Sequence, residues 1–155
     1  MKTLKSLFKL FFWLAVCQLP GLAGARYVPE AMAWYHTLTL PPFTPPDYAF
    51  GLAWGLLYIL IGISAWLAFR AQISRRALGL FLGQLFLNAC WTPLFFGQHQ
   101  PGLSLLLLGL MAAELVFLVR AFSRLSPWAG RLLWPYGAWL LFACYLNTGF
   151  WLLNA

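Results

Sequence analysis

The sequence predicts an all-α integral membrane protein: a single domain over residues 1–155, folded as a bundle of five transmembrane helices. Three observations predict it. Composition comes first, with 63% of residues Ala, Val, Ile, Leu, Met, Phe, Trp, Tyr or Cys and 8% charged, where soluble domains run at roughly half and a quarter. Too few polar groups exist to cover a water-soluble surface, and the aromatic content excludes disorder. Second, the apolar residues form runs near the roughly 20 helical residues that cross a bilayer core. A barrel would show shorter alternating segments. Third, the charges fall between those runs.

The first span, 4–25, follows Lys2, Lys5 and Lys9 and ends near Ala23-Gly24-Ala25. That pattern resembles a secretory signal with its cleavage site. Gln18, Pro20 and Gly21 interrupt the run and four further spans follow, so the segment is read as uncleaved. The remaining spans are 47–69, 77–96, 102–122 and 128–153. With this count, nine Lys and Arg lie on one side and only Arg26 on the other. Cytoplasmic loops retain Lys and Arg, which places the amino terminus inside and the carboxyl terminus outside. The net charge of +7 is thus divided among span ends, whereas a nucleic-acid partner would need one gathered basic face.

The first loop, 26–46, is the long one. Its Trp34-Tyr35 pair and the run Pro41-Pro42-Phe43-Thr44-Pro45-Pro46 predict a stiff, extended, ordered strap over the mouth of the bundle. Thr44, Pro45 and Asp47 read as an N-cap, a Pro at N1 and a capping acid for the second span.

Helical spacing assigns faces, since each residue advances about 100°. Gln84, Asn88, Trp91 and Phe95 share one face of the third span, which describes a cavity lining. Gly79 and Gly83 lie on another face, as small-xxx-small pairs do at helix contacts, and are candidates for a homodimer contact or for packing inside the bundle. Phe50, Trp54, Leu57 and Tyr58 form a stripe on the second span; Tyr136, Trp139, Ala143 and Asn147 form one on the fifth. Trp13, Trp66, Trp128 and Trp151 suit interfacial anchoring. Amides inside spans need a partner or a ligand, which singles out Asn88 and Asn147. Glu114 is the one acid within a span, a functional candidate by default, although its face is otherwise leucine.

No catalytic constellation is visible: no Ser-His-Asp set, no paired carboxylates and no phosphate loop. His36 and His99 read as solvated loop residues, and no metal-ligand spacing occurs. Cys17, Cys90 and Cys144 lie in apolar runs without CxxC spacing, as buried thiols do.

Taken together, these residues resemble the translocator protein family, also called tryptophan-rich sensory proteins or peripheral benzodiazepine receptors. Trp34-Tyr35, PPFTPPDYAFGLAWGLLY from Pro41, QLFLNACWTPLFF from Gln84 and PYGAWLLFACYLN from Pro135 carry the likeness, in the family's order and spacing. The stretch up to Glu30 is the least similar. The resemblance implies a bacterial member: a five-helix bundle, commonly dimeric, whose cavity is capped by the first loop. It implies binding of protoporphyrin or a haem-like tetrapyrrole, with no cofactor required. The tryptophans at 54 and 139 are implied to line the cavity and to take part in light-dependent porphyrin breakdown, the asparagine at 88 to contribute, and Phe50, Tyr58, Phe95, Ala143 and Asn147 to lie nearby. Trp34, Gln84 and Trp91 complete the candidate ligand-binding set. Sterol-binding members carry Tyr then Arg or Lys late in the fifth helix; here Leu-Asn-Thr follows Tyr145, which lowers the expectation of sterol recognition. A flat macrocycle stacks on indole and phenol rings, and Asn88, Trp54, Trp139 and Arg26 are candidate donors to its propionates. Three functions follow as expectations: a tetrapyrrole receptor or carrier linked to stress regulation, a light- and oxygen-dependent porphyrin-degrading enzyme, and a non-catalytic oligomeric partner of another membrane protein. Helical spans favour the bacterial inner membrane, while outer-membrane members of the family also exist.

Overall fold

The computed structural model describes residues 2–154; the chain ends at 1 and 155, and the side chains of Lys2 and Lys5 counted above for orientation, lie outside the described residues. Among the described residues every regular element is helical: α1 Lys2–Ala25, α2 Val28–Tyr35, α3 Asp47–Arg70, α4 Arg75–Thr92, a π-helical turn Pro93–Gly97, α5 Pro101–Leu125, α6 Pro127–Arg131 and α7 Trp134–Leu153. Helices α1, α3, α5 and the α4–π unit are long and apolar enough to cross a bilayer. The closing helix α7 falls outside that set. Its three tryptophans, two tyrosines, Asn147 and Thr148 lower its hydropathy.

Four expectations from the sequence need correction, and proline explains most of them. Span 77–96 is not one α-helix. Pro93 has no N–H to give the preceding turn, so the α-helix ends at Thr92 and continues as the π-turn, closed by Gln98 N–H donating to the Pro93 carbonyl at 2.9 Å. Span 128–153 is likewise two helices. α6 ends at Arg131 because Pro135, in the first turn of α7, offers no donor back to it. The strap is not extended throughout: Pro29 in its first turn starts the short helix α2, and only the part after Tyr35 is irregular. Thr44 does not cap α3. Its hydroxyl donates to the Pro41 carbonyl at 2.6 Å, and α3 opens at Asp47 behind Pro46 held at ψ 149°. By contrast Ser74 does cap α4, accepting from Ala77 N–H at 3.2 Å.

Around the bundle α1 sits between α3 and α4, α4 meets α5, α5 meets α7, and α3 and α7 touch. Close approach depends on two glycines. A Cβ on Gly62 would stand 3.0 Å from the Leu14 backbone of α1, and one on Gly24 would stand 2.8 Å from Thr92 Oγ1 of α4. The main core lies in the half of the bundle where α6 packs, around Phe81, Met111, Leu118, Phe122 and Leu133. Trp13 packs against it, meeting Phe81 edge-on at 5.6 Å and stacking on Phe69 at 4.1 Å. A second, smaller cluster of Tyr35, Phe95, Leu146 and Phe150 sits beneath the strap.

Candidate functional site

Between these two clusters the bundle holds a cavity of about 540 Å³, within the range of small-molecule sites. Nine predicted residues are on its wall: Phe50, Trp54 and Tyr58 from α3; Asn88, Trp91 and Phe95 from α4 and the π-turn; Trp139, Ala143 and Asn147 from α7. The helical stripes bring them together as the spacing arithmetic requires. Trp54 stacks on Tyr58 at 5.3 Å and meets Trp139 edge-on at 6.2 Å; Phe50 meets Trp139 edge-on at 6.1 Å. Across the space Trp91 stacks on Phe95 at 5.2 Å. Phe95 follows Trp91 by four residues, and the π-turn that opens at Pro93 carries it on the cavity wall.

Two predicted residues are not on the wall. Trp34 lies over the π-turn, stacked on His99 at 4.1 Å with its edge toward Phe95. Gln84 lies one turn below Asn88, under the floor. Arg26 is exposed, with its guanidinium donating to Tyr27 Oη at 3.1 Å. The histidines are not idle loop residues either. His99 carries Trp34, and His36 Nε2 pairs with Asp47 Oδ2 at 3.0 Å, tying the strap to the start of α3.

The floor is a chain of hydrogen bonds. Tyr58 Oη donates to Asn88 Oδ1 at 2.7 Å, and Asn88 Nδ2 donates to Tyr136 Oη at 3.1 Å. Tyr136 must then spend its own proton on Gln84. With the Gln84 amide turned to accept it, at 2.8 Å, the amide nitrogen donates to Glu114 Oε2 at 3.0 Å and to the Met111 carbonyl at 3.2 Å. The opposite orientation would aim the Gln84 oxygen at two acceptors, which no buried amide tolerates. Glu114 therefore finds a partner inside the chain, and Gly83 makes room for it: a Cβ there would stand 2.5 Å from Glu114 Oε1. Of the two glycines expected at a subunit contact, Gly83 is thus occupied by α5, while Gly79 faces open space.

The strap roofs the cavity with Val28, Pro29, Met32 and Tyr35 of α2. Its second half is pinned to α7. Asn154 accepts from Thr39 N–H at 2.7 Å and returns an N–H to the Thr39 carbonyl at 3.1 Å, and Tyr145 Oη donates to the Pro42 carbonyl at 2.9 Å. Three buried polar atoms of wall residues lack protein partners: Tyr35 Oη, Trp91 Nε1 and Asn147 Oδ1. Burial, then the negative charge of Asp47, pushes the Tyr35 hydroxyl up to about 12. Among the described residues no group of three or more His, Cys, Asp or Glu gathers as metal ligands do.

Several wall residues escaped the sequence reading. α1 contributes Gln18, Gly21 and Ala25, spaced at three and four residues. That is a helical stripe which the sequence reading took only as interruptions of an apolar run. Phe150 extends the Ala143–Asn147 stripe by one turn. The α2 residues had no comparable signal, since the helix itself was unexpected.

Comparison with known proteins finds relatives over most of the chain. The TspO/MBR family model matches residues 13–152. The translocator protein of Ovis aries is 41% identical over 140 residues, covering 84% of this chain and 81% of that protein. The tryptophan-rich sensory protein of Cereibacter sphaeroides is 36% identical over 135 residues, covering 87% and 84%. The translocator protein homolog of Schizosaccharomyces pombe is 38% identical over 148 residues, covering 84% and 90%.

Proposed function

The chain belongs to the TspO/MBR family of membrane proteins, and from that premise we propose that it is a receptor or carrier binding a protoporphyrin-like tetrapyrrole in the cavity beneath the strap. The observation that carries this reading is the composition of the wall. Eight aromatic residues from α3, α4, the π-turn and α7 line one space whose polar groups are few. Flat macrocycles gain from stacking on such rings, and a few fixed polar groups orient them. The cavity volume suits a ligand of that class. Quenching of the intrinsic fluorescence by protoporphyrin IX, on purified protein, tests it. Trp139→Phe and Trp54→Phe are each expected to weaken binding several-fold, by about 0.5–1.5 kcal/mol of lost ring contact; unchanged affinity in both would remove the cavity from the reading.

A second reading has one observation behind it. Trp54 and Trp139 lie edge-to-face at 6.2 Å on the same wall, where both indoles would touch a bound chromophore that absorbs light. Illumination under oxygen separates the two: a carrier returns the porphyrin intact, a degrading enzyme yields a new chromophore. The finer topology is part of this proposal: five spans, with α7 the fifth, the amino terminus inside and the carboxyl terminus outside, in the bacterial inner membrane. It is supported by the uneven distribution of Lys and Arg. Homodimer formation is proposed through the open face at Gly79, which has nothing packed on it within the chain.

A further inference from the structure

The hydrogen-bonded chain under the cavity does not stop at the floor; it crosses to Glu114, a half-buried carboxyl in the middle of α5 at the α4–α5 contact. We propose that Glu114 is a proton-binding site linked to the cavity: Tyr58, Asn88, Tyr136 and Gln84 join its carboxyl to the cavity floor, so that proton binding at Glu114 and ligand binding at Asn88 alter one another's affinity. The geometry is continuous. Its steps are 2.7 Å from Tyr58 to Asn88, 3.1 Å from Asn88 to Tyr136, 2.8 Å from Tyr136 to Gln84 and 3.0 Å from Gln84 to Glu114. Every donor in it points the same way, from the cavity toward the carboxyl. An ionised Glu114 is the acceptor that polarises such a series, and chained hydrogen bonds strengthen one another. A ligand N–H donating to Tyr58 Oη would add one more link in the same sense and favour the ionised form. When Glu114 takes a proton from bulk water it loses its charge, its carbonyl oxygen is left as a weaker neutral acceptor for Gln84 beside the Met111 carbonyl, and the series loses much of its polarity.

No nearby charge competes for this role. Packed against α5 are α3, α4, α6, α7 and the π-turn. Of their titratable groups, Tyr58 of α3 and Tyr136 of α7 belong to the hydrogen-bonded series itself. The arginines of these elements, Arg70, Arg75, Arg76 and Arg131, and α5's own Arg120 and Arg124 stand at or near helix ends. None pairs with Glu114; among the described residues the one contact of salt-bridge length is His36 Nε2–Asp47 Oδ2 at 3.0 Å. Gly83 is the residue that admits the carboxylate to the α4–α5 contact. Coupling between two sites is reciprocal, so a shift in either can be read from the other.

Two measurements test the proposal. The first needs no ligand: infrared difference spectra of the purified protein, titrated through the Glu114 carboxyl band identified with Glu114→Gln. Tyrosine ring bands that Tyr136→Phe removes are expected to move with that band, and Gln84→Leu is expected to uncouple them while the carboxyl still titrates. Tyrosine bands that stay still as the carboxyl titrates overturn the relay whether or not anything binds in the cavity. The second rests on the tetrapyrrole reading and uses protoporphyrin dimethyl ester, which has pyrrole N–H donors and no propionates to titrate. Its affinity is expected to rise about five-fold or more as the carboxyl ionises, in line with ordinary coupling energies, and to become independent of pH in both Glu114→Gln and Gln84→Leu. Affinity that is pH-independent in the unaltered protein, or equally pH-dependent in Glu114→Gln, overturns the linkage. Absence of binding at every pH instead sinks the tetrapyrrole reading and leaves the infrared result to decide the relay.

Discussion

The two halves of this bundle are built from the same helices and are filled in opposite ways. On the α6 side of the Asn88–Tyr136 contact, Phe81, Met111, Leu118, Phe122 and Leu133 are fully buried and interlock. On the strap side α3, α4 and α7 present rings, and the rings enclose space. Aliphatic side chains are branched and flexible enough to fill the gaps between helices. Flat, stiff rings, stacked at 5.3 Å in Trp54–Tyr58 and edge-to-face at 6.1 and 6.2 Å around Trp139, leave a slot between them. One half supplies stability and the other supplies a site. Substitutions should therefore behave differently according to which side of the floor they fall.

The largest effect is expected on the filled side. Phe81→Ala deletes a ring that is fully buried among α1, α4 and α5, and should cost about 3–5 kcal/mol through lost contact and the cavity left behind. Phe50→Ala enlarges a space that is already open, and should cost well under that. Unfolding of both variants in detergent, followed by circular dichroism, checks the contrast; equal losses would erase the distinction between the halves. At the boundary, Tyr136→Phe removes the hydroxyl that Asn88 and Gln84 share. Leaving both amides short of a buried partner should cost about 1–3 kcal/mol, between the two extremes.

How much of this division was legible in the sequence depended on the element. The stripes on α3, α4 and α7 were readable because helical spacing alone decides a face: Trp54 with Tyr58, Asn88 with Trp91, Trp139 with Asn147. Gln84 shares that spacing, yet it stands one turn too deep and belongs to the floor. Face can be computed from residue number, but depth depends on how far neighbouring helices close in. Trp34 failed for another reason. Its rotation is set by α2, a helix whose existence rests on tertiary packing against the π-turn, where Tyr27 and His99 meet it. The breaks at Pro93 and Pro135 were visible as prolines. Their outcomes, a π-turn in one case and a separate short helix in the other, were set by packing.

Smaller effects are expected at the roof, where the comparison sharpens to two parts of one strap. Residues 36–46 are pinned to α7 through Asn154, Tyr145 and the close fit of Pro41 against Gly149. Residues 28–35 are held by side-chain packing, among it Trp34 on His99 and Tyr35 on Phe150. Asn154→Ala removes two hydrogen bonds to Thr39 and should loosen the pinned part by about 1 kcal/mol. Amide exchange is expected to rise at residues 37–42 and to leave 81–88 unchanged; a rise throughout would mean that the strap stabilises the whole bundle.

The least expensive change at neutral pH should be Tyr35→Phe, and its effect should appear only in alkali. The Tyr35 hydroxyl is buried under the strap without a partner, so deleting it removes no bond and leaves nothing unpaired, which makes the stability change close to zero. The same burial, with Asp47 next, raises its ionisation to about 12 from 10.0. A raised value means that the fold prefers the neutral phenol. Its contribution is therefore complete below about pH 10 and is lost as the pH climbs toward about 12. Over that window the α2 half of the strap should detach in the unaltered protein, with faster amide exchange at residues 28–35. Tyr35→Phe, having no proton to lose, should hold its roof through the same range. If both proteins loosen together, the alkaline transition belongs to another group, and the roof is held by side-chain packing alone.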